Sequence, residues 1–152
     1  MRKDNFTQVL KRFVHELDIP ITSQSIENEL QMHPEYNSFV AISDVLNTWL
    51  VSNAAYKLTF KELLKAEIED PFMAFISDKE FVVVSHLDNH HAIISNEKWN
   101  NHQLTIAEFE AIYSGLILVA EKDLTSGEKE YNENYNIGIF AFYIHKLCVG
   151  VY

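Results

Sequence analysis

The chain has 152 residues, of which 47% are hydrophobic, so it is long enough for one compact domain with a core and short for two. Its 12 basic and 22 acidic residues give a formal net charge of -10, which disfavours binding to a nucleic-acid backbone. Its one cysteine, Cys148, excludes an internal disulfide and a multi-thiolate zinc site and fits a reducing compartment.

Three amphipathic helices are predicted in the first third of the chain. Apolar residues recur at helical spacing over residues 4–17, over 23–31 and over about 38–50. The basic N-terminus has no uninterrupted apolar run behind it and therefore does not predict a secretory signal.

After the helices the pattern predicts mainly strands. Residues 53–58 indicate one strand, and the runs at 72–77, 80–87 and 91–95 indicate an antiparallel meander. Between them, the capping box Thr59-Phe-Lys-Glu62 predicts a single helical turn.

A second capping box, Thr105-Ile-Ala-Glu108, predicts a helix that ends near Tyr113. The segment from Gly115 to Ala120 is expected to form the last strand. The predicted fold class is therefore α+β, with N-terminal helices followed by a sheet.

The C-terminal part of the chain differs in composition. Residues 1–121 are predicted to form the domain, 122–136 a polar linker, and 137–152 a hydrophobic segment broken only by His145 and Lys146. As a helix this segment would reach about 24 Å, short of the roughly 30 Å hydrocarbon core of a bilayer. We interpret it as a partial or interfacial membrane helix, with a terminal helix packed on the domain as the alternative.

Five short motifs between Asp4 and Asp123 occur in the same order as the motifs of a known family. They are Asp4-Asn5-Phe6, Tyr36-Asn37-Ser38-Phe39, Glu80-Phe81-Val82-Val83, Ile93-Ile94-Ser95-Asn96, and Glu108-Phe109 followed by Ser114-Gly115. In this order they resemble the Asp-Cys-Gly, Gly-x-Ser-Leu, His-Phe-Val-Val, Asp-Pro and Glu-Phe motifs of the leader-processing domain of bacteriocin-exporting ABC transporters, cysteine peptidase family thirty-nine.

A longer stretch resembles one particular subgroup of this family. Residues 33–46, HPEYNSFVAISDVL, are similar to the HPxYPSLxSxSDxL pattern of a divergent subgroup fused to transmembrane segments, including transporters and vitamin K epoxide reductase-like thiol oxidases. The resemblance implies a papain-like fold, with helices packed on an antiparallel sheet, followed here by a C-terminal hydrophobic helix.

The catalytic residues that the resemblance implies are replaced in this chain. The family mechanism needs a thiolate at a helix N-terminus, an imidazole that takes its proton, and a group that orients the imidazole. The matching positions are Asn5 for the nucleophile, Glu80 for the base, and Ser95 or Asn96 for the orienting group. No cysteine precedes Cys148, so we expect the catalytic triad to be absent.

Three hypotheses follow. The first is a noncatalytic, membrane-associated accessory domain on the cytoplasmic side, which binds a peptide or a neighbouring membrane-protein domain in the former substrate groove. The second is an active peptidase that cleaves double-glycine leaders. The third is a truncated remnant of a longer fused gene, with residues 137–152 as the start of a first span.

Three tyrosines and Cys148 are further candidate functional side chains. Tyr36, Tyr56 and Tyr113 are candidates for holding an extended peptide, although aromatic residues more often belong to the core. We interpret Cys148 as a small hydrophobic residue, because its apolar neighbours would raise the pKa of its thiol. No ATP-binding motif is present, and no cofactor is expected.

The histidines at 86, 90 and 91 invite a metal interpretation. Alternation along a hairpin could put His86 and a second histidine on one side, but no carboxylate or thiolate has diagnostic zinc spacing. We therefore interpret the group as a solvated turn and predict no metal site.

Overall fold

The structure is a computed structural model that describes residues 5–128, without the side chain of Asp78. The predicted hydrophobic segment 137–152, with Cys148, and most of the predicted linker lie outside the described residues. Among residues 5–128, no helix has both the length and the apolar character to cross a bilayer.

The three predicted N-terminal helices are present as α1 (Asn5–Glu16), α2 (Ser23–Gln31) and α3 (Phe39–Thr48). The α2 and α3 helices begin after the N-caps Thr22 and Ser38, whose side chains accept hydrogen bonds from the backbone N–H three residues later. The prediction for α3 ran two residues too far, because the chain turns at Trp49 and Leu50 adopts a left-handed conformation.

The sheet has six antiparallel strands in the order β1-β6-β2-β3-β4-β5. They are β1 (Ser52–Lys57), β2 (Phe72–Ile76), β3 (Glu80–Leu87), β4 (His91–Ser95), β5 (His102–Thr105) and β6 (Tyr113–Glu121). Strand β5 was not predicted from the sequence, because this short edge strand is polar and largely exposed and so shows no apolar alternation. The meander over β2, β3 and β4 is confirmed.

Two short helices, α4 (Phe60–Ala66) and α5 (Ile106–Ile112), begin at the two predicted capping boxes. In each box the threonine at the N-cap and the glutamate three residues later exchange hydrogen bonds with each other's backbone N–H. These helices lie on the opposite face of the sheet from α1, α2 and α3.

Alternation along the strands divides the core between the two faces. On β2, Met73 packs with the first three helices, whereas Phe72 and Ala74 pack with α4 and α5. On β6, Leu118 packs with the first three helices, whereas Ile117 packs with α4 and α5. The sheet is therefore covered by helices on both sides, and β3 runs through the middle of both core clusters.

The first residues of the predicted linker contact the domain. Ser126 is buried and its hydroxyl donates to the Leu50 carbonyl at 2.7 Å. Gly127 has a φ of +105°, and a Cβ there would lie 2.5 Å from the Pro20 side chain, so only glycine fits this close approach. The Glu128 carboxylate accepts hydrogen bonds from the Thr22 N–H and the Ser25 hydroxyl at the start of α2.

The capping box of α5 generates a stability prediction. Hydrogen bonds from the backbone N–H and side chain of Thr105 hold the pKa of Glu108 below its ordinary value. Because the pKa of Glu108 is lower in the folded state than in the unfolded state, its ionised carboxylate stabilises the fold. This stabilisation is fully present above the unfolded-state pKa and is lost as pH falls through the folded-state pKa. We expect Thr105→Ala to lower the free energy of unfolding by about 1 kcal/mol at neutral pH.

Urea unfolding at pH 7 and at about pH 3.5 checks this. The difference between wild type and variant should narrow only in part at the lower pH, because the variant keeps the backbone N–H of residue 105 that bonds to the Glu108 carboxylate and loses only the hydroxyl. Glu110→Gln on the same helix is the control, because that exposed side chain is not part of the capping box. Equal effects of the two substitutions at neutral pH would contradict the expectation.

Candidate functional site

The N-terminus of α1 is joined to the start of β3 by the side chain of Asn5. Its Nδ2 donates to the Phe81 carbonyl at 3.0 Å, and its Oδ1 accepts from the Phe81 N–H at 2.7 Å. Strand β4 ends at Ser95, which lies opposite Val83, so the backbone of Phe81 extends past the end of its neighbouring strand. The carboxamide therefore pairs with both backbone groups, as a continuing strand would.

The loop after β4 closes over this junction. The Glu97 carboxylate accepts from the Asn5 Nδ2 at 2.5 Å, and the Asn96 side chain donates to the Phe81 carbonyl at 3.4 Å. The Asn96 side-chain oxygen in turn accepts from the backbone N–H groups of Lys98 and Trp99. A carboxylate beside the first turn of a helix is favourably placed, because the helix dipole is positive there.

Four residues occupy the positions that the family resemblance assigns to catalysis: Asn5, Glu80, Ser95 and Asn96. Asn5 and Asn96 both bond to the Phe81 carbonyl, and Glu80 is the adjacent residue on β3. The Glu80 carboxylate accepts from the Lys98 ammonium at 2.9 Å. Ser95 is fully buried, and its hydroxyl accepts from the Asn101 N–H at 2.9 Å in the following loop.

The chemistry available to these groups is hydrogen bonding rather than nucleophilic attack. A carboxamide has no lone pair basic enough to attack a peptide carbonyl, and residues 5–128 contain no cysteine. The Glu80 carboxylate can accept a proton, but the neighbouring Asn5 is not an acid that it could activate. The junction can hold a backbone in place and can present polar groups to a ligand.

An aromatic cluster lies directly beside the junction. Its ring contacts are 4.9 Å between the centroids of Phe6 and Tyr36 and 5.0–5.4 Å between Phe81 and each of three neighbours. The members of this Phe81 cluster are Phe6, Tyr36, Phe39, Phe75 and Phe81. Phe6 and Phe81 are buried, whereas the other three are only partly buried and reach the surface.

The HPEYNSF stretch positions Tyr36 in this cluster. The His33 Nε2 lies 2.6 Å from an Asp44 carboxylate oxygen, and the His33 Nδ1 accepts from the Glu35 N–H at 2.9 Å. These bonds tie the turn between α2 and α3 to α3 itself. The Tyr36 hydroxyl lies 3.1 Å from the Thr7 hydroxyl on α1, so the ring is fixed against the helix that carries Asn5.

The other two tyrosine candidates lie on the opposite face of the sheet. Tyr113 packs in the second core cluster and its hydroxyl donates to the Leu58 carbonyl at 2.8 Å; burial raises its pKa. Tyr56 is half exposed on the edge strand β1, opposite Ile117, whose side chain belongs to the same second cluster. The structure does not bring these two tyrosines together with Tyr36.

The hairpin between β3 and β4 brings two of the three histidines that invited a metal interpretation together with Asp88. The His86 Nε2 lies 2.8 Å from one Asp88 carboxylate oxygen, and the His91 Nδ1 lies 3.6 Å from the other. His90 contributes its backbone N–H, which donates to Asp88 at 2.7 Å. Hydrogen bonding to His86, and then to the backbone of His91 and His90, holds the pKa of Asp88 well below its usual range.

The carboxylate of Asp88 was missed because its spacing matches no zinc motif. The available signal was the alternation of His86 and Asp88, which places two side chains on one face near a hairpin end.

Comparisons with known proteins give one family and one fold. The model of the peptidase C39 family matches residues 4–125. A search of curated proteins finds no match.

Three solved structures share the fold at low sequence identity. A double glycine motif protease from an AMS/PCAT transporter, in complex with the leader peptide, has a TM-score of 0.69 at 12% identity over 81% of this chain and 87% of that chain. The N-terminal peptidase C39 like domain of the toxin secretion ATP-binding protein from Vibrio parahaemolyticus has a TM-score of 0.65 at 8% identity, over 81% of this chain and 100% of that chain. The peptidase domain of Streptococcus ComA, a bifunctional ABC transporter involved in quorum sensing, has a TM-score of 0.67 at 12% identity over 80% and 93%.

These likenesses confirm the predicted α+β, papain-like arrangement of helices on an antiparallel sheet. The family model spans most of the chain, including the α1 and β3 segments that meet at Asn5. This chain belongs to the peptidase C39 family.

Proposed function

We propose that this chain is a noncatalytic C39 domain that binds a peptide beside the N-terminus of α1. The observation that supports this most strongly is the paired hydrogen bonding of Asn5 with the Phe81 backbone, at the position where the family resemblance puts the nucleophile. A side chain that holds two backbone groups in this way has a structural role and no reactive atom.

The base position supports the same proposal. Glu80 occupies it, and its carboxylate is paired with Lys98. A general base must reach the proton that it removes, and its partner must become a nucleophile once the proton has left. The carboxamide of Asn5 does not meet the second requirement, so the cleavage mechanism of the family has no starting point here.

The Phe81 cluster supplies the binding surface in this proposal. Tyr36, Phe39 and Phe75 are partly buried rings next to the junction, and the neighbouring Val40 side chain is 55% exposed. Rings that are fixed on one side and open on the other suit the apolar side chains of an extended peptide, because little conformational entropy is lost on binding. One of the similar structures contains a leader peptide, which makes a leader-type peptide the first ligand to test.

The proposal extends to the cellular setting. One of the similar structures is a protease from a transporter, and another is the peptidase domain of an ABC transporter. We place this domain on the cytoplasmic side of a membrane, with residues 1–121 as the folded unit, 122–136 as a linker whose first residues contact that unit, and 137–152 as the membrane-associated segment. Its partner is then the bound peptide or a neighbouring domain of a membrane transport or thiol-oxidation system.

Peptide binding without cleavage is the first expected result. A fluorescent double-glycine leader peptide should bind the chain, and the mass of the peptide should not change on long incubation. Tyr36→Ala should weaken binding by roughly tenfold, because it removes an aromatic side chain of the kind that often contributes most to peptide affinity.

Two controls make this measurement specific. Tyr56→Ala removes a half-exposed tyrosine on the opposite face of the sheet and should leave affinity unchanged. Thermal unfolding of both variants separates loss of binding from loss of fold. Cleavage of the peptide that disappears in Cys148→Ala would contradict the proposal and favour the active peptidase.

The structural role of Asn5 gives a second expected result. Asn5→Ala should lower the free energy of unfolding by about 1–3 kcal/mol, because the N–H and carbonyl of Phe81 lose their shared partner. Urea unfolding measures this difference. Gln8→Ala, one turn along the same helix, is the control for helix propensity and should change stability by less than about 0.5 kcal/mol.

Equal stability of Asn5→Ala and Gln8→Ala would show that the junction does not depend on the carboxamide. The assignment of a structural role to Asn5 would then be wrong.

A further inference from the structure

A register shift in the sheet brings three possible metal ligands to one face. Val84 lies opposite Ile94, but the next pair is His86 with Ile93, so Ser85 is an extra residue in a β-bulge. Without the bulge, His86 would project toward the apolar cluster that contains Val84. The bulge turns His86 to the other face, which it shares with Ile93.

His91 and Asp88 complete the group on that face. His91 is two residues from Ile93 along β4 and therefore projects to the same side. Asp88 continues β3 beyond its last strand pair and donates its N–H to the His91 carbonyl at 3.1 Å. Alternation from His86 places the Asp88 side chain between the two imidazoles.

The three side chains offer one ligand atom each within 4.8 Å of one another. Zinc lies about 2.0–2.2 Å from imidazole nitrogen and carboxylate oxygen, which puts neighbouring tetrahedral ligand atoms about 3–3.5 Å apart. The His86 Nε2 lies 2.8 Å from one Asp88 oxygen, and the His91 Nδ1 lies 3.6 Å from the other. His86 is exposed and the other two side chains are partly exposed, so rotations of these side chains can bring one atom of each into coordination distance.

The aspartate is already oriented for this task. One of its oxygens accepts hydrogen bonds from the backbone N–H groups of His90 and His91, at 2.7 and 2.8 Å. Such bonds fix the direction of a carboxylate ligand.

From this geometry we propose that His86, Asp88 and His91 bind a divalent transition-metal ion of the zinc type. Two imidazoles and one carboxylate are the ligands that such ions prefer, and the remaining coordination positions are open to water. The ion would bind the Nε2 lone pair of the neutral His86 tautomer that carries its proton on Nδ1, so the hydrogen bond between Nε2 and the Asp88 oxygen is replaced by two bonds to the ion and no net proton is released. The ion would then link β3 to β4 at the end of their hairpin.

The proposed site is separate from the Phe81 cluster. His86 follows Phe81 by five residues on the same extended strand, which corresponds to about 16 Å. Peptide binding and metal binding can therefore succeed or fail independently.

Zinc titration of the full chain tests the proposal, in a Cys148→Ala background so that the thiol does not contribute. Isothermal titration calorimetry should find one zinc ion per chain, and His86→Ala, His91→Ala and Asp88→Asn should each weaken binding by at least about tenfold. Asp88→Asn retains an oxygen that can accept the backbone N–H groups, so it tests the charge with little change to the turn.

His90→Ala is the matched control, because its imidazole is outside the group and its backbone N–H remains. This variant should bind zinc as the parent chain does. Magnesium should not compete, because it prefers oxygen ligands. Equal zinc affinity in all four variants, or no measurable zinc binding by the parent chain, would overturn the proposal.

Discussion

The pairing of the Asn5 carboxamide with the backbone of Phe81 is the interaction on which the rest of the site depends. It joins the first helix to the central part of the sheet at a point where β4 has ended and the Phe81 backbone has a strand partner only on the β2 side. An unpaired backbone N–H or carbonyl in a partly buried place is costly, so a side chain that satisfies both is strongly favoured there. The contact holds the N-terminus of α1 against β3, beside the aromatic rings packed around Phe81.

The same contact relates this chain to the chemistry of its family. A papain-like peptidase keeps its reactive group at the N-terminus of the first helix, where the helix dipole stabilises a thiolate. In the proposed account, the polar environment at this helix end is used to hold Asn5 and Glu97 together instead. In the same proposed account, the partly buried rings of the Phe81 cluster beside α1 provide the surface that binds the peptide.

Much of the fold could be predicted from the sequence because its local signals agree with the final structure. Periodic apolar residues gave α1 and α2, and the capping boxes at Thr59 and Thr105 marked the starts of α4 and α5. The edge strand β5 was not predictable in this way, since one polar, exposed strand shows no apolar pattern. The return of β6 between β1 and β2 is set by long-range pairing, which a local pattern does not reveal.

The candidate sites could likewise be predicted only in part from the sequence. Motif order pointed to Asn5 and Glu80, but only the structure shows that Phe81 is the residue whose backbone Asn5 holds. The relation of His86 to Asp88 and His91 depends on the bulge at Ser85, and a bulge reverses the alternation that sequence reasoning assumes.

Amide hydrogen exchange at Phe81 is the measurement that tests the central contact most directly. Two-dimensional NMR of the chain in deuterated buffer resolves this N–H from the rest of β3. The account predicts that the Phe81 amide is protected to a degree comparable with the paired amides of the strand, because the Asn5 oxygen accepts its hydrogen bond. Exchange of Phe81 at the rate of a free surface amide, with the remainder of β3 still protected, would contradict it.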